Sequence, residues 1–124
     1  MQWLAVALGG ALGAMGRLAI ITWLFPVMGP RFPLGTLVTN WLGCILAGLV
    51  YVLIVDKGLV PPEYRPLLIT GFLGALTTFS SFSLDALSLW ENGQGTTAIV
   101  YALLTFVGCL LAVWVSVLWA RSVF

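Results

Sequence analysis

The sequence contains no histidine and few charged residues. Of its 124 residues, 7% are charged and 61% are apolar, and the formal net charge is +1 at pH 7. The absence of histidine removes the commonest metal ligand and general base. The chain also has no phosphate-binding glycine loop, no nucleophile–base pair and no basic stretch for nucleic acid. A chain this apolar is neither disordered nor an ordinary soluble domain, so we predict an all-α membrane protein without enzymatic activity.

Four apolar stretches are long enough to cross a bilayer. We predict spans at 3–25, 34–55, 67–89 and 96–119, which together form one membrane domain over residues 1–124. At about 1.5 Å per residue, each span reaches across a hydrocarbon core of ~30 Å. The connections are short and rich in proline and glycine, as expected of turns.

The third span is unusually polar between residues 71 and 85. Seven consecutive positions carry five hydroxyl groups, interrupted by two aromatic rings: Thr77, Thr78, Phe79, Ser80, Ser81, Phe82 and Ser83. The glycines upstream, Gly71 and Gly74, lower the cost of leaving helical geometry, and hydroxyl groups can satisfy the freed backbone. Irregular backbone at membrane depth is tolerated where protein buries it or where it lines a wet cavity. We therefore predict that the third helix is broken near its centre and lines a conduction path.

Two aromatic rings and a stripe on the fourth span are candidates for the wall of this path. Phe79 and Phe82 are three residues apart and share one helix face. Such pairs usually pack in a core, but beside hydroxyl donors their partly positive ring edges can contact a small, dehydrated anion. Tyr101, Thr105 and Cys109 recur every four residues, either as a polar track facing the rings or as a helix contact.

Other polar groups lie inside the spans. Arg17 is the only basic residue well inside a span, which favours a role in the pathway or in structure over simple snorkelling. Asn40 either forms an interhelical hydrogen bond or donates its amide N–H to a passing ion. Asp85 is either an ion-pair partner of Arg17, in the same or a neighbouring copy, or a solvated group near the interface. Cys44 and Cys109 are interpreted as packing residues rather than a disulfide or a metal pair.

Small residues and basic residues bear on assembly. The small residues of the first two spans form faces on which a helix of the same chain, or of a second copy, can pack: Gly9, Gly13, Gly16, Gly43, Ala47 and Gly48. With four spans, one side of the membrane holds Lys57, Arg65 and Arg121 and the other holds Arg31. This weak bias allows either antiparallel insertion of two copies or a single orientation with the N-terminus inside.

Two other functions suit a chain of this size. Small proton-coupled multidrug exporters are also short four-span proteins, but they depend on a glutamate in the first span, where this chain has Arg17. A non-transporting membrane assembly subunit would not need the cluster of hydroxyls and aromatic rings.

Over its whole length the sequence resembles the Fluc (CrcB-type) fluoride channels. The likeness lies in G-G-A-L-G-A-M-G-R at 9–17, G-T-L-V-T-N at 35–40 and G-A-L-T-T-F-S-S-F at 74–82. The resemblance implies a dual-topology antiparallel homodimer in the bacterial inner membrane. Its two pores would export fluoride passively and so protect the cell against fluoride toxicity.

The resemblance also implies roles for individual residues. Arg17 would lie near the pore vestibule. The backbone carbonyls of Gly74 and Thr77, from both copies, would hold a central structural sodium ion. The fluoride pathway would comprise Asn40, Thr78, Phe79, Ser80, Ser81, Phe82, Tyr101 and Thr105.

Overall fold

Helices account for the architecture because a lipid-embedded backbone must satisfy its hydrogen bonds within its own segment. The computed structural model describes residues 1–124 and contains no strand. Its α-helices are α1 (Gln2–Met28), α2 (Leu34–Tyr51), α3 (Gly74–Leu76), α4 (Phe79–Glu91) and α5 (Gly95–Val123). Wider π-helical turns continue α2 over Val52–Asp56 and precede α3 over Pro66–Leu73. Short 3₁₀ turns lie at Gly29–Arg31 and Pro62–Tyr64.

Four helical stretches are long and apolar enough to cross a membrane, as predicted. They are Gln2–Arg31, Leu34–Asp56, Pro62–Glu91 and Gly95–Val123. The protein is therefore a multi-pass integral membrane protein with an all-α fold. α1 runs through Pro26 to Met28, three residues beyond the predicted span, and ends where Gly29 takes a φ of 55°. Glycine adopts this left-handed conformation without the steric cost that a Cβ would add.

The first helix packs along the first half of the third span, residues 66–76. A Cβ on Gly9 would collide with the backbone carbonyl of Leu67, and one on Gly13 with that of Phe72. A Cβ on Gly71 would in turn crowd the backbone carbonyl of Val6 on α1, at 2.9 Å. This small-residue face thus brings two helices of the same chain into close contact.

The second helix packs along α5 and is joined to it by two hydrogen bonds. Trp41 donates its indole N–H to the carbonyl of Leu104 at 3.0 Å, and Ser116 donates its hydroxyl to the carbonyl of Ile45 at 2.5 Å. Gly48 allows the close approach, because a Cβ there would meet Ser116.

Most of the apolar surface faces outward. Only 21 of 124 residues are buried, and side chains as large as Trp3 and Phe79 are 90% and 75% exposed. In a membrane, lipid tails or a second protein chain can cover this surface. The buried polar residues are consequently the more informative ones.

Candidate functional site at the broken third helix

The third span is broken at Thr77 and Thr78. Both residues are extended, with ψ of 151° at Thr77 and φ and ψ of −151° and 119° at Thr78. α3 ends one residue before this pair and α4 begins one residue after it. The predicted break is confirmed, although it lies beyond Gly74, which is itself helical with φ −62° and ψ −33°. Gly71 serves close packing against α1, and the threonines form the break.

Asn40 holds the break in place from α2. Its amide nitrogen donates to the carbonyl of Thr78 at 3.2 Å, and its amide oxygen accepts from the N–H of Thr78 at 2.8 Å. Asn40 and Thr78 are both buried, at 6% and 9% exposure. One side chain thus satisfies both backbone groups of a residue that has left the helix. One amide hydrogen of Asn40 remains free for another acceptor.

The two threonines also close the helix ends that they separate. Thr77 donates its hydroxyl to the carbonyl of Leu73 at 2.8 Å. Thr78 is the N-cap of α4, where its hydroxyl oxygen accepts from the N–H of Ser81 at 3.1 Å and lies 3.2 Å from the hydroxyl of Ser80. Threonine at both positions therefore provides the local partners that a break requires.

Some backbone groups at the break still have no hydrogen-bond partner. The carbonyls of Gly74 and Thr77 accept none, because the N–H groups that would reach them in a continuous helix bond instead to Asn40 and to the Thr78 hydroxyl. On the other side, the N–H groups of Phe79 and Ser80 donate to nothing within the chain. The break therefore presents free acceptors at the end of one helix and free donors at the start of the next.

A groove of about 300 Å³ runs beside the break, between α2, α4 and α5. It contains five of the eight predicted pathway residues, whereas Ser80, Ser81 and Tyr101 are outside its lining. Thr105 is 7% exposed, and its hydroxyl has no partner in the chain. The groove is lined by Asn40, Cys44, Thr77, Thr78, Phe79, Phe82, Thr105, Phe106, Cys109 and Leu110.

Four aromatic rings form a series that begins at the groove. The ring centroids of Phe79 and Phe82 are 5.4 Å apart, with the ring planes at 63°. The ring centroid of Phe82 is in turn 5.2 Å from that of Tyr101. Phe32 packs edge-on against Tyr101 at 5.5 Å. The Phe pair thus shares one face, as its spacing predicts, and its inner ring packs against the fully buried Tyr101.

Comparisons with known proteins identify the family of the chain. Residues 4–117 match the family model described as CrcB-like protein, Camphor Resistance (CrcB). The chain belongs to the CrcB family. A relative from Hahella chejuensis is 50% identical over 108 residues, which cover 87% of this chain and 85% of the relative. A relative from Stutzerimonas stutzeri is 48% identical over 117 residues, which cover 94% of this chain and 94% of the relative. A relative from Saccharophagus degradans is 46% identical over 116 residues, which cover 93% of this chain and 86% of the relative. All three are named fluoride-specific ion channel FluC.

Within this CrcB-family chain, Arg17 and Asp85 do not form an ion pair. Asp85 accepts a hydrogen bond from the hydroxyl of Tyr101 at 3.2 Å. Arg17 is half-buried on α1 and outside the lining of the groove, with no ion pair or side-chain hydrogen bond. The chain's one salt bridge joins Arg121 to Asp56 at 2.6 Å.

The sequence of this CrcB-family protein did not predict that three of the groove residues belong to the pathway. They are Cys44, Phe106 and Leu110. Cys44 follows Asn40 by four residues, so helical spacing places both on one face of α2. That spacing is a usable signal for Cys44, whereas Phe106 and Leu110 resemble any other apolar residue of a membrane helix.

Proposed function

We propose that this chain is a fluoride-selective channel that exports fluoride passively across the bacterial inner membrane and protects the cell against its toxicity. The observation that carries the proposal is the broken third span, whose Thr78, Phe79 and Phe82 line one groove together with Asn40. The names of the CrcB relatives support the choice of ion.

Fluoride is small and strongly hydrated, so a selective path must replace its water with closely placed donors. The free hydrogen of the Asn40 amide and the unpartnered hydroxyl of Thr105 both belong to the groove. The hydroxyls of Thr78, Ser80 and Ser81 add donors at the start of α4. These neutral groups offer an anion hydrogen bonds without a fixed charge that would trap it.

The aromatic rings supply contacts on the remaining sides of the ion. The edges of Phe79 and Phe82 carry partial positive charge and would contact fluoride while leaving little room for a larger anion. The free N–H groups at the start of α4 add positive potential at the same place. Tyr101 extends the polar track along α5, and Arg17 attracts anions at the vestibule.

We further propose that two copies assemble as an antiparallel homodimer with dual topology. A single copy leaves its groove open at one side, and Phe79 is 75% exposed although it lies at membrane depth. A second chain would enclose the groove and cover this ring. The weak charge bias, with Lys57, Arg65 and Arg121 against Arg31, permits insertion in both orientations.

A sodium ion is the proposed structural cofactor of the dimer. The carbonyls of Gly74 and Thr77 lack hydrogen-bond partners, and an unpartnered carbonyl at membrane depth is costly. Carbonyl oxygens are suitable ligands for a hard cation. Sodium held by these carbonyls from both copies would supply positive charge at the break and tie the copies together.

Ion efflux from liposomes containing the purified protein tests the function. We expect rapid fluoride efflux without a proton gradient and far slower chloride efflux. Phe79→Ile is expected to slow fluoride strongly because the ring edge is lost. The matched control Phe25→Ile changes an exposed ring that is not in the groove, and its flux is expected to stay at the wild-type level.

Other outcomes would contradict separate parts of the proposal. Equal chloride and fluoride flux would exclude selectivity, and wild-type flux in Phe79→Ile would exclude the role of that ring. Drug transport driven by a proton gradient would favour the exporter, and absence of both activities would favour an assembly subunit. Native mass spectrometry tests the dimer, whose dissociation we expect to increase when sodium is replaced by an organic cation.

A further inference from the structure

The two cysteines of the chain line the same groove from opposite helices. Cys44 lies on α2, one turn beyond Asn40, and Cys109 lies on α5, one turn beyond Thr105. The chain has no other cysteine. A pair of sulfur ligands therefore occupies the groove one helical turn from its amide and hydroxyl donors.

The two thiols are neighbours and are both free. Each is partly buried and neither belongs to a disulfide. Both side chains belong to the lining of one groove, where Cys44 is the ionisable neighbour of Cys109, and neither thiol forms a hydrogen bond with another group of the chain. Packing explains why a small apolar side chain suits each position. It does not explain why the only two thiols of the chain meet inside its cavity.

We propose that Cys44 and Cys109 form a two-coordinate binding site for one soft, thiophilic metal cation, and that the bound cation blocks the groove. Cu(I) is the biological ion of this class, because soft cations select thiolate ligands. No cluster of three or more histidine, cysteine or acidic residues exists in the chain. The site therefore lacks the four ligands that structural zinc requires and suits a cation satisfied by two sulfurs.

Binding replaces two protons by one metal ion. The S–H bond of each cysteine breaks, its proton passes to water, and the sulfur electron pair forms a bond to the cation. No electron transfer is required. The ion would lie between α2 and α5, where Phe82 and Thr105 also line the groove. The blocking half of the inference depends on the proposed ion pathway, whereas the binding half does not.

Titration of the purified full chain with mercuric chloride tests the binding. Hg(II) serves as the probe because it prefers two thiolates and its thiolate complexes absorb in the ultraviolet. We expect one Hg(II) per chain and release of two protons. Cys44→Ser and Cys109→Ser should each bind at least tenfold more weakly, and the double variant should not bind. Two Hg(II) per chain, or undiminished affinity in a single variant, would overturn the shared site.

Fluoride efflux from the same liposomes tests the block. The comparison is made within each variant, with and without Hg(II), after gel filtration has confirmed folding. Wild-type flux is expected to fall at least tenfold with Hg(II), whereas any flux of the double variant should be insensitive. Unchanged wild-type flux with Hg(II) bound would overturn the block. Absence of flux before Hg(II) is added would instead contradict the proposed channel, and the binding titration would still decide the site.

Discussion

Replacement of Asn40 by alanine should destabilise the fold, because one side chain satisfies two backbone groups at the break. The N–H and C=O of Thr78 bond to Asn40 at 2.8 and 3.2 Å, and Thr78 is only 9% exposed. A buried polar group left without its partner costs about 1–3 kcal/mol, although hydrogen bonds in membrane proteins average only ~0.6 kcal/mol. Two orphaned groups therefore predict a loss of ~1–4 kcal/mol in the free energy of unfolding.

Thr39→Val is the matched control for this change. Thr39 is fully buried on the same helix, and its hydroxyl donates to the carbonyl of Gly35 in the preceding turn. In the helix, the carbonyl of Gly35 also accepts a hydrogen bond from a backbone N–H one turn further on. Valine at position 39 therefore removes the hydroxyl bond without leaving that carbonyl unpartnered. We expect this variant to lose less than about half as much stability as Asn40→Ala.

Reversible unfolding by sodium dodecyl sulfate in mixed micelles, followed by circular dichroism, measures both variants. The reasoning would be refuted if Asn40→Ala unfolded at the wild-type detergent fraction, or if Thr39→Val were equally destabilised. In the first case the break would have to be held by α1 packing rather than by the amide. A variant with wild-type stability but little fluoride efflux would show that Asn40 acts on the ion and not on the backbone.

Two further substitutions test the local packing at the break by the same unfolding assay. Thr78→Val removes the N-cap of α4 and should lower the free energy of unfolding by about 1 kcal/mol. Thr78→Ser keeps the hydroxyl and should have nearly the wild-type stability. Equal stability of the two variants would rule out the cap. Gly43→Ala places a Cβ against the methyl group of Thr77 and should cost ~1–3 kcal/mol by overpacking. Gly10→Ala meets nothing within 4 Å and should be neutral or stabilising, so a larger loss there than at Gly43 would contradict this packing.

The fold and the position of the site were largely predictable from composition and local pattern. Membrane-length apolar runs separated by proline and glycine predict four spans, because lipid leaves the helix as the simplest way to satisfy the backbone. The run of hydroxyl groups from Thr77 to Ser83 predicts the break by the same reasoning. The exact residue at which the helix ends was less predictable, since the pattern placed the break only within residues 71–85, whereas the structure places it at Thr77 and Thr78.

The resemblance to the Fluc family extended the prediction to individual residues, and the comparisons confirm the family. Five of the predicted pathway residues line one groove. The assignments to fluoride, to sodium and to a second copy stay predictions, each with its own measurement.

By itself, the sequence determined that this protein is an all-α membrane protein with a polar interruption in its third span. Composition and spacing suffice for this, because both reflect the solvent around each segment. Only the tertiary structure decided that Asn40 bonds to both backbone groups of Thr78, and that Cys44 and Cys109 line the same groove. These partners are 38 and 65 residues apart in the chain. Contacts across such separations depend on which helices pack together, and a local sequence pattern does not determine that packing.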